Sequence, residues 1–70
     1  MENIKINTEY IKLDQFLKWC GIAETGSQAK EFILSGMVKV NGETELRRGK
    51  KLRDGDLVEV RGQEFRISNE

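Results

Sequence analysis

Seventy residues with a formal net charge of zero, no histidine and one cysteine set narrow bounds on function. A chain of this length folds as one domain, 1–70, with a small core, burying roughly 60% of its unfolded surface. The missing histidine removes serine-histidine and cysteine-histidine nucleophile pairs and histidine-containing zinc sites, while Cys20 alone can make neither an internal disulfide nor a cysteine cluster.

No catalytic residue, metal site or cofactor is therefore expected. The longest strictly apolar run, Phe32-Ile33-Leu34, is far shorter than a membrane span, and the first residues show no signal-peptide pattern. These features predict a soluble, cytoplasmic protein without a membrane partner.

In chain order, Ile4 to Ile6 is expected to add an edge strand. Leu13, Phe16, Leu17 and Cys20 then fall at i, i+3, i+4 and i+7, the spacing that stacks side chains on one helical face. Asp14 lies in the first turn, where the helix dipole favours negative charge, and Gly21 follows as a stop. On this apolar face Cys20 reads as a small buried hydrophobe rather than a reactive thiol. Lys12, Gln15 and Trp19 share a neighbouring flank, free to face a partner. Trp19 has two readings, stacking on an unpaired base or covering the core edge, and its large apolar area favours the second. Phe16, Phe32 and Phe65 are assigned to the core, and Tyr10 fits either side of the division.

Thr25-Gly26-Ser27-Gln28 has the form of a capping box, so a second helix starts near Gly26 or Ser27. Ala29, Phe32 and Ile33 give its inward face, Lys30 and Glu31 point outward, and Gly36 ends it in the left-handed conformation. From there the period becomes alternating. Val38 and Val40 face one way and Lys39 the other, and Asn41-Gly42 marks a type I′ turn. A short return strand is expected over Thr44 to Leu46. Asp54-Gly55-Asp56 signals a turn before the strand Leu57–Val60, and Arg61-Gly62-Gln63 separates that strand from Glu64–Ser68 in a terminal hairpin.

Charge is unevenly spread along these elements. Residues 12–53 hold nine Lys/Arg against five Asp/Glu, whereas residues 54–70 hold two against five. The densest segment is Arg47-Arg48-Gly49-Lys50-Lys51-Leu52-Arg53, with five basic residues in seven, expected in an exposed connection. A lone cluster of this kind is usually a solvated turn, yet it also attracts polyanions over about 8 Å at physiological ionic strength. Lys12, Lys18 and Lys30 on the helices, Lys39 on its strand, and the helix entrance at Ser27 and Gln28 add cations and backbone donors suited to phosphate. For Ser27 and Gln28 a plain helix cap is an equally good reading.

Four motifs in sequence carry a resemblance: Leu13-Asp14-Gln15-Phe16-Leu17, Gly26-Ser27-Gln28-Ala29-Lys30-Glu31-Phe32-Ile33, Gly36-Met37-Val38-Lys39-Val40-Asn41-Gly42, and Asp54-Gly55-Asp56-Leu57-Val58-Glu59-Val60. Together, over about residues 10–61, they resemble the S-four (S4) RNA-binding domain. The Val-Lys-Val-Asn-Gly block is the most specific part. Glu45 to Leu52 is further similar to small stand-alone bacterial members of the YaaA and YbcJ type. The resemblance implies an α+β fold in which two short N-terminal helices, the αL motif, pack on a small, mainly antiparallel sheet. It also implies a cationic face, formed by the helices and an adjoining β-turn, that lies on folded RNA. Many members carry arginine where this chain has Gly26, a departure that removes one phosphate contact.

The expected function is non-catalytic binding of structured RNA, with ribosomal RNA or a ribosomal subunit as partner, in ribosome assembly, maturation or rescue. The expected contact set is Lys12, Gln15, Lys18, Ser27, Gln28, Lys30, Lys39, Asn41, Arg47, Arg48, Lys50 and Lys51, presented by a monomer. A second reading comes from Val40-Asn41-Gly42-Glu43 and Asp54–Val60, which also resemble part of a ubiquitin-like sulfur carrier. That activity needs a terminal Gly-Gly, whereas the sequence ends Ile67-Ser68-Asn69-Glu70. A protein-interaction module is the form of this alternative that remains.

Overall fold

The computed structural model describes residues 1–69. In chain order the elements are β1 (Glu2–Ile6), β2 (Ile11–Lys12), α1 (Leu13–Trp19), α2 (Gly26–Leu34), β3 (Val38–Val40), β4 (Glu43–Thr44), β5 (Lys51–Leu52), β6 (Leu57–Val60) and β7 (Gln63–Asn69). One sheet runs β1-β7-β6-β3-β4, with β1 parallel to β7 and the remaining pairs antiparallel. β2 and β5 form a separate antiparallel pair. The architecture is α+β, with the two helices on one face of a mainly antiparallel sheet.

Strand alternation builds that face. Val38 lies opposite Val60, Val40 opposite Val58, and Val58 opposite Phe65, while Ile4 pairs with Ile67 at the parallel edge. Leu13, Phe16 and Leu17 of α1, with Ala29 and Ile33 of α2, close over the sheet, and all five are fully buried. Phe16 meets Phe65 edge to face, with ring centroids 5.9 Å apart. Burying one such side chain contributes about 1.5–3 kcal/mol, and truncating Phe16 to alanine would cost about 3–5 kcal/mol. Phe32 is half-buried, with the Arg61 guanidinium over its ring at 5.7 Å. Cys20 is also half-buried, and burial pushes its thiol pKa up, which makes it a poor nucleophile.

Helix ends follow the local chemistry. The Thr25 hydroxyl accepts the Gln28 amide proton at 3.1 Å, as a capping box requires. The Gln28 side chain reaches one residue farther back than expected and accepts from the Glu24 amide at 2.7 Å. At the other end Gly36 has φ +80°, its amide donates to the Ile33 carbonyl, and the Met37 amide donates to that of Phe32. This pair of bonds is a Schellman closure, which needs a left-handed residue at Gly36.

Asn41 and Gly42 both have positive φ, 52° and 87°, the type I′ geometry. A two-residue turn places Val40 directly opposite Glu43, so the return strand is Glu43–Thr44 and not Thr44–Leu46, and Leu46 is exposed. The terminal hairpin likewise pairs from Gln63, because Arg61 and Gly62 make a second positive-φ turn. The basic connection is more ordered than a free loop, since Leu52 is fully buried in the core and Lys51–Leu52 is paired. Among the described residues no helix is long and apolar enough to cross a membrane.

Candidate nucleic-acid interface

The first turn of a helix leaves backbone amides without intrahelical partners. Lys12, at the N-terminal boundary of α1, offers no side-chain cap. The basic connection supplies the missing acceptors. The Leu13 amide donates to the Lys50 carbonyl at 2.8 Å, and the Asp14 amide to the Arg48 carbonyl at 3.1 Å. Beside these bonds β2 pairs with β5, setting Ile11 opposite Leu52 and Lys12 opposite Lys51. Backbone contacts thus hold the connection against α1, and the cationic side chains are left out of that task.

Arg47, Gly49, Lys50, Lys51 and Arg53 line a shallow hollow of about 550 Å³. Lys12 and Lys51 are both exposed, and like charges directly opposite each other across a strand pair repel. An anion bound there would replace that repulsion with two attractive contacts. The Lys51 ammonium lies 4.8 Å from the centre of the Tyr10 ring, and the Arg53 guanidinium lies 5.6 Å from it. Tyr10 therefore supports two of the cations through its ring face.

Arg47 is held by Glu45. Its Nε donates to Oε2 at 3.0 Å, its Nη2 to Oε1 at 3.4 Å, and its backbone amide to Oε2 at 3.1 Å. The Arg47 side chain is 74% exposed, whereas that of Glu45 is 14% exposed. The Arg47 hydrogen bond is the main cause holding the Glu45 carboxyl below the usual range, against the opposing effect of desolvation. The same bond raises the Arg47 pKa.

The structure therefore gathers Lys12, Arg47, Lys50 and Lys51 around the start of α1, with Arg48 contributing its carbonyl to the scaffold. Gln15 lies one turn along α1, and with Lys12 and Trp19 it lines a second hollow. Trp19 departs from the core-edge expectation. It is 60% exposed, because the short α1 ends at this residue and the indole lies outside the buried stripe. Lys18 is exposed in the last turn of α1, where the dipole favours a cation. Ser27 and Lys30 share a hollow with Glu31 on α2, and Gln28 serves the helix entrance.

Lys39 is exposed opposite Glu59 and Thr44. Asn41 is engaged by the fold: its Oδ1 accepts the Leu57 amide at 2.9 Å, and its Nδ2 donates to Asp56 at 3.2 Å. None of the residues Ser27, Gln28, Lys30, Lys39 and Asn41 lines the hollow of the basic connection. Arg53 does, although it is absent from the expected contact set. Lys51 and Arg53 flank the buried Leu52 and both lie over the Tyr10 ring, and the apolar residue between two basic ones is the trace of this in the sequence.

Comparison with known proteins identifies the family. A family model described as an S4 domain matches residues 4–68. Over 59 residues the chain is 48% identical to the probable ribosome maturation protein RlbA of Bacillus subtilis, covering 84% of this chain and 83% of that one. It is 42% identical over 53 residues to the small ribosomal subunit protein uS4 of Rhodopirellula baltica, covering 76% of this chain and 26% of that protein. The solution structure of YbcJ from E. coli, with an αL motif involved in RNA binding, superposes with a TM-score of 0.73 at 32% identity, over 97% of this chain and 87% of YbcJ. Ribosomal protein S4e from Thermoplasma acidophilum shares the fold at a TM-score of 0.65 and 20% identity, over 86% of this chain and 32% of that one. With a family model spanning nearly all its residues and a relative of similar length at 48% identity, the chain belongs to the S4 domain family.

Proposed function

We propose that this chain is a non-catalytic, monomeric and cytoplasmic RNA-binding protein, one domain over residues 1–70, that lies on structured ribosomal RNA during assembly or maturation of a subunit. The observation that carries the reading is the fixation of the basic connection on α1 by the Leu13–Lys50 and Asp14–Arg48 backbone bonds. Cations on a rigid backbone lose less freedom when they meet phosphates than cations on a mobile loop, so more of the contact energy appears as affinity. Membership of the S4 domain family, the ribosome-maturation relative and the RNA-binding αL motif of YbcJ support the same partner.

Lys12, Arg47, Arg48, Lys50 and Lys51 form the centre of the proposed face, with Arg53 beside them. Gln15 and Lys18 continue it along α1. Ser27, Gln28 and Lys30 extend it over α2, Lys39 lies on the strand flank, and Asn41 acts by holding the β3 turn. Recognition is of shape and phosphate position, since the deep, narrow major groove of A-form RNA is closed to such side chains. Crosslinking in cells followed by sequencing of the attached RNA tests this reading. Ribosomal RNA, with contacts clustered in one structured region, is the expected recovery; small RNAs alone, or none, would contradict it.

A further inference from the structure

Beside the basic connection lies a hollow of about 530 Å³ between the 7–10 segment and α1, with Lys12, Gln15 and Trp19 on one wall. The Trp19 indole N–H donates to the Lys5 carbonyl at 3.1 Å, which ties one edge of the ring to β1 and leaves the side chain 60% exposed. The opposite wall is held as well. The Thr8 hydroxyl donates to the Tyr10 carbonyl at 2.7 Å, and the side-chain amide of Asn69 donates to the Thr8 carbonyl.

We propose that this hollow receives one unpaired nucleobase, stacked on Trp19, from the same RNA whose phosphates lie on the basic connection; the inference rests on the function proposed above. Charge decides between base and phosphate. The hollow carries one acid, Glu9, and one ammonium, Lys12, so its lining is neutral and suits an uncharged ring. The adjoining hollow carries four cations and no acid on its lining, which suits phosphate. The two are contiguous through the Lys12–Lys51 pairing of β2 and β5, so a nucleotide turned out of a helix can set its base on Trp19 and its phosphate near Lys12. The Gln15 amide offers both a donor and an acceptor to a base edge.

Trp19 is the sole tryptophan, and its emission reports directly on stacking. The test compares the full chain binding to a perfect RNA duplex and to the same duplex with a single-nucleotide bulge. The bulged RNA should bind roughly tenfold tighter and quench Trp19 emission. Trp19→Leu should remain folded by circular dichroism, keep the affinity for the perfect duplex and lose the preference for the bulge. Trp19→Phe, with a smaller π-face, should keep part of that preference. Equal affinity for both RNAs with unchanged emission, while the duplex is still bound in a salt-dependent way, would overturn the base site and leave the phosphate face standing. A bulge preference retained by folded Trp19→Leu would overturn it too, and failure to bind either RNA would overturn both readings.

Discussion

Lys12 and Lys51 stand directly opposite each other across the β2–β5 pair, two exposed ammonium groups at a position where opposite charges would stabilise the fold. Lys12 also adjoins the N-terminus of α1, where the helix dipole disfavours a cation. Two local electrostatic preferences are thus set aside at one residue, as expected where a surface is shaped for an anion rather than for stability.

Lys12→Glu should therefore move stability and binding in opposite directions. Thermal or urea unfolding should show a gain of about 0.2–1 kcal/mol, from removal of the like-charge pair and a better helix start. Affinity for a ribosomal RNA fragment should fall roughly threefold to tenfold. A variant that binds as well as wild type would take Lys12 out of the interface.

Two side-chain hydrogen bonds hold Arg47 on Glu45, and RNA bound on the proposed face would have to displace them. Glu45→Gln should raise RNA affinity about two- to fivefold, the scale of one exposed ion pair, with a small loss of stability at neutral pH. The pH dependence has a definite sign. The folded Glu45 carboxyl titrates below its unfolded value, so its contribution to stability is complete above the ordinary glutamate range and is lost as pH falls through the lower folded value. Unfolding curves of wild type and Glu45→Gln should accordingly differ at neutral pH and converge in acid.

Gly36 and Gly42 serve the backbone. An added Cβ at Gly36 would meet only the Thr44 methyl, at 4.0 Å, and at Gly42 nothing within 4 Å, so any cost arises from positive φ and not from a clash. Gly36→Val or Gly42→Val should each lose about 1–3 kcal/mol in chemical denaturation. Unchanged midpoints would place the Schellman closure or the hairpin elsewhere.

Much of this fold is legible in the sequence because the elements concerned carry a period or a turn code. The i, i+3, i+4 and i+7 set from Leu13 places α1, Thr25 and Gly36 bracket α2, and Asn41-Gly42 forces a tight hairpin. The register of β4 follows from the same turn, since a two-residue connection leaves Glu43 no partner but Val40. The β2–β5 pair is different. Two residues per strand give no alternation to detect, and the pairing joins segments about forty positions apart. For that reason the basic run reads from sequence as an exposed connection, while the backbone bonds that fix it on α1 emerge only in three dimensions. Trp19 misleads for a related cause: its size favours burial, but α1 ends before a further turn can cover it.

If the partner is ribosomal, the chain should travel with a ribosomal subunit or its precursor in a sucrose gradient at low salt, and a high-salt wash should release it. The variant with Arg47, Arg48, Lys50 and Lys51 all changed to alanine should stay at the top of the gradient throughout. Wild type remaining at the top under every condition would point to another RNA or to a protein.

On the function proposed above, the side chains of the basic connection bind RNA while its backbone holds it on α1. The salt dependence of affinity for a ribosomal RNA fragment, measured for wild type and for that quadruple alanine variant, tests this most directly. The variant keeps the Lys50 and Arg48 carbonyls that cap α1, so circular dichroism should show it folded. With about four to six phosphates neutralised, the wild-type slope of log affinity against log salt should be on the order of −3 to −5. The folded variant should bind at least roughly tenfold more weakly at low salt, with a shallower slope. A wild-type slope near zero, or a folded variant with undiminished affinity, would rule out RNA binding by the basic connection.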